Sequence, residues 1–108
     1  MKLWLDDVRE MPQEYDVWAK NAHEAIGMLM VENITHIAFD HDLGVERSPY
    51  AQFVTGYDVA KCIETLARLG LVGRLEWSIH TDNPSGRKRI RQAMESAERF
   101  WSINNESI

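Results

Sequence analysis

His36-Ile37-Ala38-Phe39-Asp40-His41-Asp42-Leu43-Gly44 is the stretch that decides the fold. It begins as a short apolar run and breaks abruptly into acid, imidazole and glycine. A run of that length, bounded by turn residues, reads as a strand buried on both faces. In an open α/β sheet, ligands bind at the C-terminal edge of the strands, and that is where the charge sits. Two other stretches repeat the design. Lys2-Leu3-Trp4-Leu5-Asp6-Asp7 is apolar and then doubly acidic, and Leu75 to Asn83 runs into His80, Thr81, Asp82 and Asn83. If these three strands are parallel neighbours, Asp6, Asp7, Asp40, His41, Asp42, His80 and Asn83 converge on one edge.

The remaining elements fall between these runs. Strand one is Leu3 to Leu5, and Val8 to Glu14 lacks a clear period and reads as a loop or one short turn. Tyr15 to Ala19 is a short second strand. Asn21 caps a helix, with Glu24 as its reciprocal partner, and Ala22, Ala25, Ile26, Leu29 and Met30 form its buried face to near Asn33. Strand three is Ile37 to Phe39. Gly44 to Gly56, with Arg47, Pro49 and Tyr50, reads as a loop. Thr55 or Gly56 caps a helix over about 57–69 that Gly70 stops, with Val59, Ile63 and Leu66 inward. Leu75 to Ile79 is strand four. A Pro84-Ser85-Gly86 turn opens a last helix, about 87–102, with Ile90, Ala93, Met94, Ala97 and Trp101 as its stripe. Trp4 and Trp77 are expected in the core, Trp18 and Trp101 partly exposed. Strands alternating with helices predict an α/β fold with a parallel sheet and right-handed crossovers.

Composition narrows the class. A chain of 108 residues is expected to form one domain, 1–108. Twelve basic against seventeen acidic residues give a net charge of −5, which argues against broad, non-specific nucleic-acid binding. The single cysteine, Cys62, excludes an internal disulfide and fits a reducing cytoplasm; its helical setting suits packing better than nucleophilic chemistry. No run is long enough to span a membrane, no signal-like start is seen, and the chain is expected to be complete as it stands.

Three groups of residues carry chemistry. Asp6, Asp7 and Asp40 are carboxylates that repel one another when ionised, so a cation or a proton must compensate them. An all-oxygen cluster of this kind suits a hard divalent ion, Mg²⁺ before Mn²⁺ or Zn²⁺, with Asp42 as a further ligand. The plainer reading is a turn cap with solvated neighbours. His41 and His80 each follow a strand and suit acid–base work or ligation of a softer metal; alternatively they are two unrelated histidines. His23 and His36 read as surface residues. Finally, Arg87, Lys88, Arg89 and Arg91 crowd the start of the last helix. Cations there oppose the helix dipole, so an acidic ligand or a merely solvated face must account for them.

Leu5-Asp6-Asp7-Val8-Arg9, Phe39 to Gly44, Gly56-Tyr57-Asp58 and His80-Thr81-Asp82-Asn83-Pro84 together resemble the motif set of the cyclic-phosphate processing receiver domains. The resemblance spans nearly the whole chain. It implies a flavodoxin-like, receiver-like three-layer sandwich with a reduced sheet in the order 2-1-3-4. It also implies a site for a cyclic phosphate on a nucleotide or an RNA end. Asp6, Asp7 and Asp40 would match the receiver's acidic pocket, and His41 and His80 would be the added chemical groups. The chain departs from an ordinary receiver: too little sequence separates strands one and two for a full helix, and no fifth strand with its switch lysine is expected in 104–108. Histidine directly after Asp40 favours bond cleavage over storage of a phosphoryl group. The reading is therefore a metal-assisted phosphoesterase. Asp40, His41 and His80 would be catalytic, and Arg9, Thr81 and Asn83 would contact the substrate. The competing reading is a non-catalytic module that binds a partner protein or a nucleotide. Oligomeric state is not legible.

Overall fold

The computed structural model describes residues 1–43 and 55–106, with side chains through Asn104. The loop expected over 44–56, with Gly44, Arg47, Pro49 and Tyr50, lies mostly outside the described residues. In chain order the elements are β1 (Lys2–Leu5), β2 (Val17–Ala19), α1 (Ala22–Val31), β3 (His36–Phe39), α2 (Gly56–Arg68), β4 (Glu76–Ile79) and α3 (Pro84–Glu106). The four strands form one parallel sheet in the order β2-β1-β3-β4. This is the predicted α/β receiver-like arrangement, with β3 beside β1 in the middle.

Alternation along the strands sorts the side chains. Leu3, Leu5, Ile37 and Phe39 point to one face, where they join Ala22 and Ala25 of α1, Val59 and Ile63 of α2, and Ile90 and Met94 of α3 in a single core. The other face carries Trp4, and the layer over it is the connection 6–16 rather than a helix. Trp4 meets the ring of Tyr15 edge-on at 5.2 Å and donates its indole N–H to the Arg9 carbonyl at 3.0 Å. The 11 residues from Asp6 to Asp16 contain no helix, as their length predicts.

Element ends follow local chemistry. Asn21 caps α1 by accepting the Glu24 N–H at 2.9 Å, while Glu24 reaches back to the N–H of Lys20, one residue before the cap. Thr55, not Gly56, caps α2 in a reciprocal capping box with Asp58. Gly70 ends α2 in the left-handed region at φ 71°, with Leu71 N–H returning to Leu66 O and Gly70 N–H to Ala67 O. The last helix starts three residues earlier than the sequence suggests. Pro84 takes the first helical position, where its missing N–H costs nothing, and Asn83 caps it by accepting the Gly86 N–H at 3.0 Å.

Some inward faces also differ. Met30 is 64% exposed and Trp101 only 4%; α1 ends at Val31, too soon for Met30 to reach cover. Trp101 instead turns inward and donates to the Val72 carbonyl at 2.9 Å. On α2, Ala67 is buried and Leu66 only half-buried. Trp77 is half-buried, its indole N–H donating to Glu98 of α3 at 2.8 Å. Half-buried Cys62 has its thiol pKa pushed up by burial, which suits packing rather than nucleophilic attack.

Candidate functional site

The parallel register puts the ends of β1, β3 and β4 side by side. Leu5 pairs with Phe39 and Phe39 with Ile79, so Asp6, Asp40 and His80 leave the sheet at one level. Asp40 N–H donates to Leu5 O and His80 N–H to Phe39 O, both at 2.9 Å, which carries the ladder one residue past the strands. Asp6, Asp7 and Asp40 each present a ligand atom, all within 4.8 Å of one another. Asp6 is fully buried and Asp40 nearly so.

Each carboxylate has its own surroundings. Asp6 Oδ1 accepts the backbone N–H groups of Val8 and Arg9 at 2.9 and 2.7 Å, and its Oδ2 accepts from His80 Nε2 at 3.0 Å. Asp40 Oδ1 accepts the His41 N–H at 2.8 Å. Burial raises the Asp40 pKa and the nearby Asp6 charge raises it further, opposed by hydrogen bonds from the His41 N–H and the Thr81 hydroxyl. Asp7 Oδ1 is buried with no hydrogen-bond partner among the described residues.

The two histidines sit differently. The His80 ring lies flat against Trp4, centroids 4.0 Å apart and planes within 3°. Burial holds its imidazole below the usual pKa, against the pull of Asp6. The neutral ring then donates Nε2–H to Asp6, and its Nδ1 is a buried acceptor with no partner among the described residues. His41 donates Nδ1–H to Asp42 Oδ1 at 2.9 Å, which leaves Nε2 as its other proton-transfer atom. That bond lowers the Asp42 pKa. Asp42 is thus not among the three carboxylates that converge. Its short side chain, 68% exposed, turns back onto the neighbouring imidazole.

The phosphate-contact candidates separate as well. Arg9 is at the mouth but engaged: it pairs with Asp82 at 2.6 Å and donates to the His80 carbonyl. Thr81 is buried, with its hydroxyl on Asp40. Asn83 caps α3 through Oδ1 and directs its amide toward Asp42 Oδ1 at 3.4 Å. His23 lies exposed on α1, and His36 pairs with Glu76 at 2.7 Å at the opposite, N-terminal ends of β3 and β4.

Two glycines, unremarked as site residues in the sequence, make the arrangement fit. A Cβ on Gly56 would collide with the Asp40 carbonyl and lie 3.3 Å from His41 Cα. A Cβ on Gly86 would strike the His41 ring, reaching 2.6 Å from Cδ2. The first turns of α2 and α3 therefore close directly onto Asp40 and His41. A glycine beside each motif was the available signal.

A family model of the cyclic-phosphate processing receiver domain matches residues 1–96. The chain belongs to that family. The match takes in every residue of the site, from Asp6 to Asn83, and most of α3. No curated protein and no solved structure gives a significant match.

Proposed function

We propose that this receiver-like domain is a divalent-ion-assisted phosphoesterase that opens a cyclic phosphate on a nucleotide or an RNA end. The observation that carries the reading is the convergence of Asp6, Asp7 and Asp40 beside two histidines at the strand edge. Family membership supports the substrate class.

The residues fit a hard cation. Three carboxylates crowd one space, the Asp40 pKa is raised by burial and further by its neighbour's charge, and the buried Asp7 Oδ1 has no donor among the described residues. Asp6, Asp7 and Asp40 would hold the ion, and an all-oxygen set favours Mg²⁺ or Mn²⁺ over Zn²⁺. When bound, such an ion supplies Lewis-acid stabilisation of charge on the phosphate.

The chain's own groups do the rest. Ring opening needs a base for the attacking water and an acid for the departing ribose oxygen, each worth about a hundred- to ten-thousand-fold. His80, neutral and oriented through Nε2–H by Asp6, offers Nδ1 as the base; His41, oriented through Nδ1–H by Asp42, would serve as the acid when a second proton sits on its Nε2. Arg9 and Asn83 are the donors nearest the mouth, and Thr81 acts on Asp40. One observation favours the non-catalytic alternative: Arg9 and both Asp6 oxygens already have partners within the chain.

Turnover and ligand affinity, measured together on single variants, test the proposal. His41→Ala and His80→Ala should each lower kcat at least a hundredfold while changing affinity for a 2′,3′-cyclic mononucleotide less than tenfold. His23→Ala and His36→Ala should match the unmutated protein. Binding without turnover in the unmutated protein would establish the non-catalytic module instead.

A further inference from the structure

From Asn83 to Met94 the chain carries four cations and no acid: Arg87, Lys88, Arg89 and Arg91. All four are exposed, and no described carboxylate forms an ion pair with any of them. The strip is tied to the site at one end. Arg87 donates a guanidinium N–H to the Thr81 carbonyl at 2.9 Å and its backbone N–H to the Asn83 carbonyl at 2.9 Å. One residue earlier, Gly86 lies against the His41 ring. The cations therefore begin at the mouth of the carboxylate site and lead away from it along α3. Arg87 and Arg91 share a face, about 6 Å apart along the axis.

The fold gains two local contacts from the strip, the Arg87 bond to the Thr81 carbonyl and the Arg89 guanidinium 5.9 Å from the Tyr57 ring centroid, and neither uses Lys88 or Arg91. Arg87, at the end of the first turn of α3, opposes the helix dipole, and the like charges of Arg87 and Arg91, four residues apart, repel. Both penalties are relieved by a bound polyanion. A single phosphate at the carboxylates would not reach along the helix; a strand with several phosphates would. The chain's net charge of −5, these four cations included, discourages non-specific binding, so such a strand is held only where the strip is.

We infer that the substrate is a single-stranded polynucleotide, its terminal cyclic phosphate at the carboxylates and its upstream phosphates along Arg87, Lys88 and Arg91. This rests on the cyclic-phosphate reading above, and it fixes the ring. A 3′,5′ ring consumes the 5′ oxygen through which an upstream nucleotide is attached. A chain end can therefore carry only the 2′,3′ ring, which requires a ribose. The substrate class is RNA ends bearing a 2′,3′-cyclic phosphate.

The probes are an RNA decamer ending in a 2′,3′-cyclic phosphate, the same decamer with a linear 3′-phosphate, and a 2′,3′-cyclic mononucleotide. Binding is followed by fluorescence anisotropy and competition in Mg²⁺ over a KCl series. The protein is used unmutated and as Lys88→Gln/Arg91→Gln, two positions outside the site. The cyclic decamer should bind at least tenfold tighter than the mononucleotide at low salt. Each strip contact should add about 0.7 to the slope of log affinity against log salt. The double variant should lose most of the preference and leave the mononucleotide unchanged. Equal affinity and slope for decamer and mononucleotide would overturn the inference. So would an unaffected double variant, or an acidic decapeptide competing as well as the RNA. Failure of the cyclic-phosphate reading looks different: both decamers would bind alike, with their dependence on the strip intact.

Discussion

His80 shows how one side chain ties stability to the site. Its folded pKa lies below the usual value because burial disfavours the charged ring, with Asp6 pulling the other way. The unfolded chain takes up that proton near pH 6.5, whereas the folded chain takes it up only at lower pH. Below pH 6.5 the unfolded state therefore binds more protons, so stability falls on acidification and levels off once the folded ring is also charged. Asp40 has the opposite sign: its raised pKa means the folded state is protonated first, which adds stability as pH falls toward the ordinary carboxylate range. Thermal unfolding followed from pH 7.5 to 5.5 should show a decline that is reduced in His80→Gln; identical slopes would refute this reading. Gly86→Ala tests the other histidine. The added methyl strikes the His41 ring, and overpacking of this kind costs about 1–3 kcal/mol. The expected outcome is a lower unfolding midpoint together with displaced His41 ring resonances.

At the scale of elements, caps decide where the functional residues stand. Asn83 both starts α3 and faces Asp42. Asn83→Ala should cost about 1 kcal/mol of stability, a lowering of Tm by about 4–8 °C in a domain of this size, measurable by calorimetry. Asn83→Asp keeps the cap oxygen and should retain most of that stability while losing the amide. The sequence makes these elements legible to different degrees. The strands ending in Asp6, Asp40 and His80 are visible because an apolar run that breaks into charge has few other readings. The start of α3 is harder to place, since Pro84-Ser85-Gly86 spells a turn until Asn83 is seen to accept from Gly86. The fate of Asp42 is not legible at all: its spacing from Asp40 suits a ligand as well as it suits the His41 bond, and only the rotamer separates them. The same holds for Trp4, whose burial is predictable but whose stacking on His80 needs the β1–β3–β4 register.

On the scale of the whole molecule, a four-stranded sheet carries its helices on one face and a helix-free connection on the other. No described helix is long and apolar enough to cross a membrane. The bare connection 6–16 carries Asp6, Asp7 and Arg9 of the candidate site near its start, and its end is pinned over Trp4 by Tyr15. Burying two carboxylates side by side is unfavourable on its own, and the cation proposed above would offset that cost. The most direct measurement is ³¹P NMR of a 2′,3′-cyclic mononucleotide incubated with the protein, with Mg²⁺, with Mn²⁺, or with chelator. The account predicts that the cyclic diester signal gives way to a monoester signal only with a divalent ion, and not with Asp40→Asn or His41→Ala. A ring that stays intact with every ion, or opens equally fast with chelator, would contradict it.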